Sequence, residues 1–205
     1  MQIDKLSVGA AEELLEEAFR MNPGPWVKHS QYAGLAARSI AQCCLDLDSE
    51  KAHALGMLHD IGRRFGVTGM RHCIDGYHFC MEKGLPDAAK ISLTHSFPYK
   101  DIKEAFGKWN CTDNEYRFVD DYIRTIAYDD YDLLIQLCDT LAIDTGFILM
   151  EKRMVNVAMR HGIHANIIPK WKRTFEIKEY FETKIGKSIY DLLPGVMENT
   201  FSFEG

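Results

Sequence analysis

Residues 51–64 read KAHALGMLHDIGRR and residues 136–144 read QLCDTLAID. In the first stretch His59-Asp60 ends an Ala/Leu helix. The pair alone carries little information, because eight His and sixteen Asp in 205 residues give about 0.6 such pairs by chance. In the second, Asp139 shares a helix face with Ile135, Ala142 and Ile143 at i−4, i+3 and i+4. An ionised carboxylate on an apolar face is costly unless it is paired or bound to metal. His29 sits in the same way over Ala33, Ala36 and Ile40. A single His there is more often a hydrogen-bonded core residue, but three helices each offering one buried imidazole or carboxylate form a donor set. Such a set suits Mn, Fe, Co, Ni or Zn, and a helical bundle can converge it.

Outward from these stretches the chain is helical. Residues 8–21 place Leu14, Leu15, Ala18 and Phe19 on one stripe and Glu12, Glu13, Glu16 and Glu17 on the other, and Pro23-Gly24-Pro25 ends that helix. The second helix is expected from His29 to Leu45. The third runs from Ser49, taken as its N-cap, to Ile61, with Gly62 as its stop. A fourth begins near Met70 and ends at Lys83-Gly84, and a fifth opens on Pro86 and reaches His95. Seven acids between Asp113 and Asp132 face only Arg117 and Arg124, which reads as a solvated helix and loop. Residues 131–150 read as one buried helix, and the last 55 residues, with nine basic and seven acidic side chains, as short helices broken at Pro169 and Pro194. No segment alternates with period two. The expectation is an all-α chain forming a single domain over 1–205, with a core at about 26–145 and a C-terminal helical extension at about 150–205.

Composition narrows the function classes. With 46% apolar residues and 21 Gly plus Pro, the chain is neither disordered nor collagenous. Its net charge of −6 argues against a broad cationic face for duplex nucleic acid. No apolar run approaches a membrane span, and the acidic, amphipathic start does not read as a signal peptide, so a cytoplasmic location is expected. The six cysteines form no C-x-x-C pair and read as reduced, mostly buried small hydrophobes.

The order His29, His59-Asp60, Asp139, with HSQYAGLAARSIA at 29–41 ahead of ALGMLHDIGRR at 54–64, resembles the HD-domain metal-dependent phosphohydrolases, a helical superfamily. The resemblance covers about residues 26–145. In RHCIDGYHFCMEKGLPDAAKISLTHS at 71–96, Gly76, Gly84, Pro86 and His95 stand 4, 12, 14 and 23 residues after His72. That spacing is similar to HD proteins holding two metals, among them dinucleoside-polyphosphate hydrolases and cyclic-dinucleotide phosphodiesterases. Where the phosphodiesterases often carry a second adjacent His, this chain has Ser96, so the five-ligand forms are the better match.

The resemblance implies that His29, His59, Asp60 and Asp139 hold a first divalent transition metal (Fe, Mn, Zn, Co or Ni). Asp60 would bridge to a second ion held by His72 and His95. It further implies a small phosphate ester as substrate, a nucleotide or dinucleotide, attacked in line by water. Cations next to the ligands are the candidate phosphate binders: Arg63 and Arg64 with Asp60 in the catalytic set, and Lys28 and Arg71 for substrate binding. His53, His78, His161 and His164 read as packing or surface residues. Tyr99, Phe106 and Trp109 read first as packing and second as a nucleobase pocket. Two alternatives stand beside the hydrolase: a dinuclear iron oxygenase on the same fold, and a non-catalytic metal-binding sensor module.

Overall fold

The computed structural model describes residues 6–202, and 69% of those residues are helical. Helix α1 (Val8–Met21) starts at Ser7, whose hydroxyl accepts from the Ala10 amide. Helix α2 (Trp26–Ala41) begins three residues earlier and ends four earlier than expected. Pro25, with φ of −65°, already holds helical geometry at its entrance. Helix α3 (Ser49–Leu58) is capped by Asp48 rather than Ser49, since the Asp48 carboxylate accepts from the amides of Glu50 and Lys51. It also stops short of Ile61: the chain tightens into a 3-10 turn over Ile61–Phe65, so Gly62 lies inside the turn, and Gly66 at φ 124° ends it.

Helices α4 (Arg71–Glu82) and α5 (Pro86–Thr94) follow as anticipated, the second with Pro86 in its first turn. Helix α6 (Asp113–Thr125) opens on a Thr112/Glu115 capping box and buries only Val119 and Ile123. Helix α7 (Asp130–Leu141) opens on a second capping box, Asp129/Asp132. It ends nine residues before the expected limit. There the chain turns through a two-stranded antiparallel hairpin, β1 (Ala142–Ile143) and β2 (Gly146–Phe147), with Ala142 opposite Phe147. Gly146, at φ 144°, permits the turn. The C-terminal region is not a set of short helices. After α8 (Met150–His161), helix α9 (Ile167–Ile185) is the longest among the described residues. Pro169 sits in its first turn, where no intrahelical amide is needed. Helix α10 (Val196–Phe201) closes the described chain. No helix there is long and apolar enough to cross a membrane.

Glycines bring the backbones together where the site forms. A Cβ on Gly56 would lie 2.6 Å from Gly34 Cα, so α2 and α3 cross with their backbones in contact. A Cβ on Gly62 would lie 2.0 Å from the carbonyl oxygen of His72 and 2.5 Å from the Gly76 amide, and one on Gly76 would meet Ser92 Oγ at 2.9 Å. The 3-10 turn after Asp60 is thereby pressed onto α4, and α4 onto α5. A large apolar cluster, from Ala11 to Val196, draws on α1, α3, α7, α9 and α10 alike. A smaller one around Ile74, Leu93, Phe97 and Ile123 fills the α4–α6 side.

Candidate metal centre

Four imidazoles converge under these contacts, and each is oriented in the same way. His29 Nδ1 lies 3.0 Å from the Ala142 carbonyl, His59 Nδ1 2.7 Å from Gly56, His72 Nδ1 2.6 Å from Gly69, and His95 Nδ1 3.1 Å from Ile91. A carbonyl only accepts, so each Nδ1 carries the proton and each Nε2 of a neutral ring presents a lone pair. The Nε2 atoms face inward in two groups. Asp139 Oδ1 stands 3.0 Å from His29 Nε2 and 3.8 Å from His59 Nε2. In the second group His72 Nε2 and His95 Nε2 are 3.4 Å apart.

Asp60 joins the groups. Its Oδ1 lies 3.0 Å from His72 Nε2 and 3.7 Å from His95 Nε2, while its Oδ2 lies 3.8 Å from His59 Nε2 and accepts from Arg63 Nε at 2.5 Å. One carboxylate thus offers one oxygen to each group, the disposition expected of a bridging ligand. His59 Nε2 and Asp60 Oδ1 are buried with no hydrogen-bond partner, an arrangement a folded protein rarely tolerates without a ligand. Two imidazole lone pairs 3.4 Å apart likewise repel unless a cation lies between them.

The electrostatics point the same way. Burial alone would raise Asp60, yet Arg63, His72 and His59 outweigh it and hold the carboxyl well below its usual range. Asp139 is likewise lowered, its own burial being outweighed by His29, with help from His59 and His95. Burial pushes His59 down, and burial with His59 and His72 as neighbours takes His95 to about 3. For His72 burial also pushes down, but Cys73 and Asp60 overcome it and the repulsion of Arg63, lifting the ring to about 10.

All six residues expected as metal ligands are therefore brought together: His29, His59 and Asp139 form one group that could hold a metal ion, His72 and His95 belong with Cys73 to a second, and Asp60 lies between the two. The expected cations divide. Arg63 lines the cavity above the centre, and no described residue bonds its terminal nitrogens. Arg64, its neighbour, turns away: it is buried against α1, donates to Glu17, and lies 4.0 Å over the Phe79 ring, so it pins the turn to the bundle and does not reach the site. Lys28 is exposed and does not line the cavity. Arg71 is spent on Asp75, Glu115 and the Asn110 carbonyl, also outside the lining. Of the histidines expected as packing or surface residues, His53 is buried and His78 is exposed beside Tyr77 and Phe118, whereas His161 lines the cavity. Of the three aromatics, only Phe106 reaches the cavity, while Trp109 stacks on Phe97 and Tyr99 is half-exposed.

The cavity, about 430 Å³, has a wall that sequence reasoning missed. Helix α8 contributes Arg153, Arg160 and His161, and α9 contributes Lys170 and Trp171. Trp26 of α2 and Phe106 add flat faces. The Arg153 side chain has no hydrogen bond or ion pair among the described residues, and burial lowers its pKa against the pull of Asp139. Lys170 donates to the Ser96 carbonyl at 2.8 Å, and burial lowers it too. Its neighbour Glu104, fully buried, accepts from the Tyr99 amide, and burial raises its carboxyl to about 7. The one available signal was the surplus of basic residues after position 150 in an acidic chain.

Comparison with protein-family models, with curated proteins and with solved structures found no match to this chain.

Proposed function

We propose that this chain is a metal-dependent phosphohydrolase acting on a small phosphate ester with a flat aromatic part, such as a nucleotide, as its resemblance to the HD-domain enzymes implies. The observation that carries the reading is the pairing of the two parts of one cavity. Its floor is a convergent His/Asp set in which two buried lone-pair atoms, His59 Nε2 and Asp60 Oδ1, have no hydrogen-bond partner. Its wall holds four cations, Arg63, Arg153, Arg160 and Lys170, in a chain of net charge −6.

His29, His59, Asp60 and Asp139 would hold one divalent ion, and His72 and His95 with Asp60 the other. Such ions lower the pKa of bound water and offset charge on a phosphoryl group in its transition state. The remaining work belongs to the chain. The four Nδ1–carbonyl bonds fix ring orientation before any ligand arrives. Arg63, anchored through Nε to Asp60, keeps its terminal nitrogens for phosphate oxygens. Arg153 is a cation held in a partly buried wall without a counter-ion, a position that favours an anionic ligand. Trp26, Phe106 and Trp171 present ring faces on which a base can stack. A cavity of this size lies within the range of small-molecule sites.

The test is a panel of nucleotides and sugar phosphates assayed with Mn, Fe, Co and Zn. Release of phosphate or a nucleoside monophosphate above the metal-only blank is expected. No release across the panel, with oxygen consumed from an organic substrate instead, would overturn the hydrolase in favour of the oxygenase.

A further inference from the structure

The second group contains a donor that the reading above does not use. Cys73 follows His72 on α4, is fully buried, and its Sγ lies 3.5 Å from His72 Nε2. The Cys73 Sγ and the ligand nitrogens of His72 and His95 all fall within 4.8 Å of one another. These spacings can be compared with those of a metal cage. With metal–nitrogen bonds of about 2.05 Å and metal–sulfur of about 2.3 Å, a tetrahedral site has N···N edges of about 3.4 Å and N···S edges of about 3.6 Å. The observed His72–His95 and His72–Cys73 separations are 3.4 and 3.5 Å, and Asp60 Oδ1, buried and without a hydrogen-bond partner, completes the group at 3.0 and 3.7 Å from the two nitrogens.

We propose that Cys73 ligates the second ion, so that the centre is chemically unequal: a His/Asp site on the His29 side and a His₂/Cys/Asp site on the His72 side. The inference rests on the metal reading above. When the ion binds, a bond forms between it and sulfur, the S–H bond breaks, and the proton leaves to solvent, with no change in oxidation state. A thiolate is a soft donor, whereas carboxylate and imidazole are harder or borderline, so the two sites prefer different metals. The His72 side should favour Zn, Cd and Co over Mn and Mg, and should fill first with those ions. The other five cysteines, Cys44, Cys80 and Cys138 buried and Cys43 and Cys111 half-buried, lie outside both donor groups.

Cobalt separates the possibilities without an activity assay. Metal-free full-length protein is titrated with Co²⁺ while absorbance is followed, and bound metal is counted by elemental analysis. The expected result is a sulfur-to-cobalt charge-transfer band in the near ultraviolet that saturates at the first equivalent. The band should be lost in Cys73→Ser and Cys73→Ala but retained in Cys80→Ser and Cys138→Ser. Cadmium affinity should fall about tenfold or more in the Cys73 variants while manganese affinity stays within about threefold. Two bound cobalt ions without the band, or a band that survives in a folded Cys73 variant, would overturn the assignment and leave the metal reading standing. The wild-type band decides even where both variants fail to fold. No cobalt bound to wild type at all would remove the metal reading itself, and this inference with it.

Discussion

The floor and the wall of this cavity are built on different principles. The floor is held by backbone. Gly34 against Gly56, and Gly62 against His72 and Gly76, leave no room for a single added carbon, and every inward-facing imidazole is braced on a carbonyl. The wall is held by side chains. The Arg153 guanidinium has no partner among the described residues, and Lys170 hangs on the Ser96 and Glu104 carbonyls. Rigid ligands beside adjustable cations are what a centre needs if it must hold ions in one geometry and admit substrates of varied shape.

The sharpest way to break that comparison is Asp60→Ala. Asp60 is the one floor residue with an oxygen toward each group. Its removal should lower metal content from two per chain toward zero, as read by elemental analysis, and abolish turnover. Loss of one ion only would show that the two groups are independent and that Asp60 does not bridge them.

Next is Gly62→Ala, which attacks the backbone contact rather than a ligand. The added methyl would fall 2.0 Å from a carbonyl oxygen, which cannot swing aside as a side-chain tip can. Destabilisation of about 3 kcal/mol is expected, equivalent to a Tm lower by about 10 °C, with loss of the His72-side ion. Gly9→Ala on α1, where nothing lies within 4 Å, is the control and should change stability by less than about 1 kcal/mol. Equal Tm values for the two variants would mean that the floor is not fixed by this contact.

Much of the floor was legible in the sequence, and the wall was not. His29 and Asp139 declare themselves because a polar group on an apolar helix face is conspicuous at helical spacing. His72, His95 and Gly76 came only from the resemblance of their spacing to that of HD proteins holding two metals. In the structure Gly76 is required because Gly62 and Ser92 press on it. Arg63 and Arg64 were inseparable, since consecutive residues on a 3-10 turn point about 120° apart and only one can face the site; which one depends on where α1 places Glu17. Cys73 read as a small hydrophobe, which it also is, packing with Ile74 and Leu93. Arg153 and Lys170 stand ninety or more residues from His59-Asp60, and an amphipathic pattern does not say which distant cavity its polar face will close.

A wall cation whose side chain has no partner among the described residues makes a different prediction from the floor. Arg153→Gln should leave metal content unchanged and folding stability within about 0.5 kcal/mol of wild type, because no side-chain hydrogen bond or ion pair among the described residues is lost. It should raise KM for a phosphate ester ten- to hundredfold, the worth of one charge-assisted hydrogen bond, with kcat less affected. A fall in Tm of several degrees would show that Arg153 supports the fold and is not held for a ligand.

The last prediction concerns how Lys170 is held in the wall. Glu104 sits beneath it, packed with Asp101 and Tyr128 as its other titratable neighbours, and burial raises its carboxyl from 4.5 to about 7 against the pull of Lys170. A carboxyl raised on folding binds its proton more tightly in the folded than in the unfolded chain. Its contribution is therefore fully present below pH 4.5 and is lost as pH rises through 7, so stability falls with pH in this window. Between pH 5 and pH 7 the wild type should lose about 2 kcal/mol relative to Glu104→Gln, whose amide does not titrate. Urea unfolding of both proteins at the two pH values measures the difference directly. The floor ligands are common to both and cancel. Parallel pH dependences would mean that Lys170 neutralises Glu104 in full, leaving that lysine paired and Arg63, Arg153 and Arg160 to meet the substrate alone.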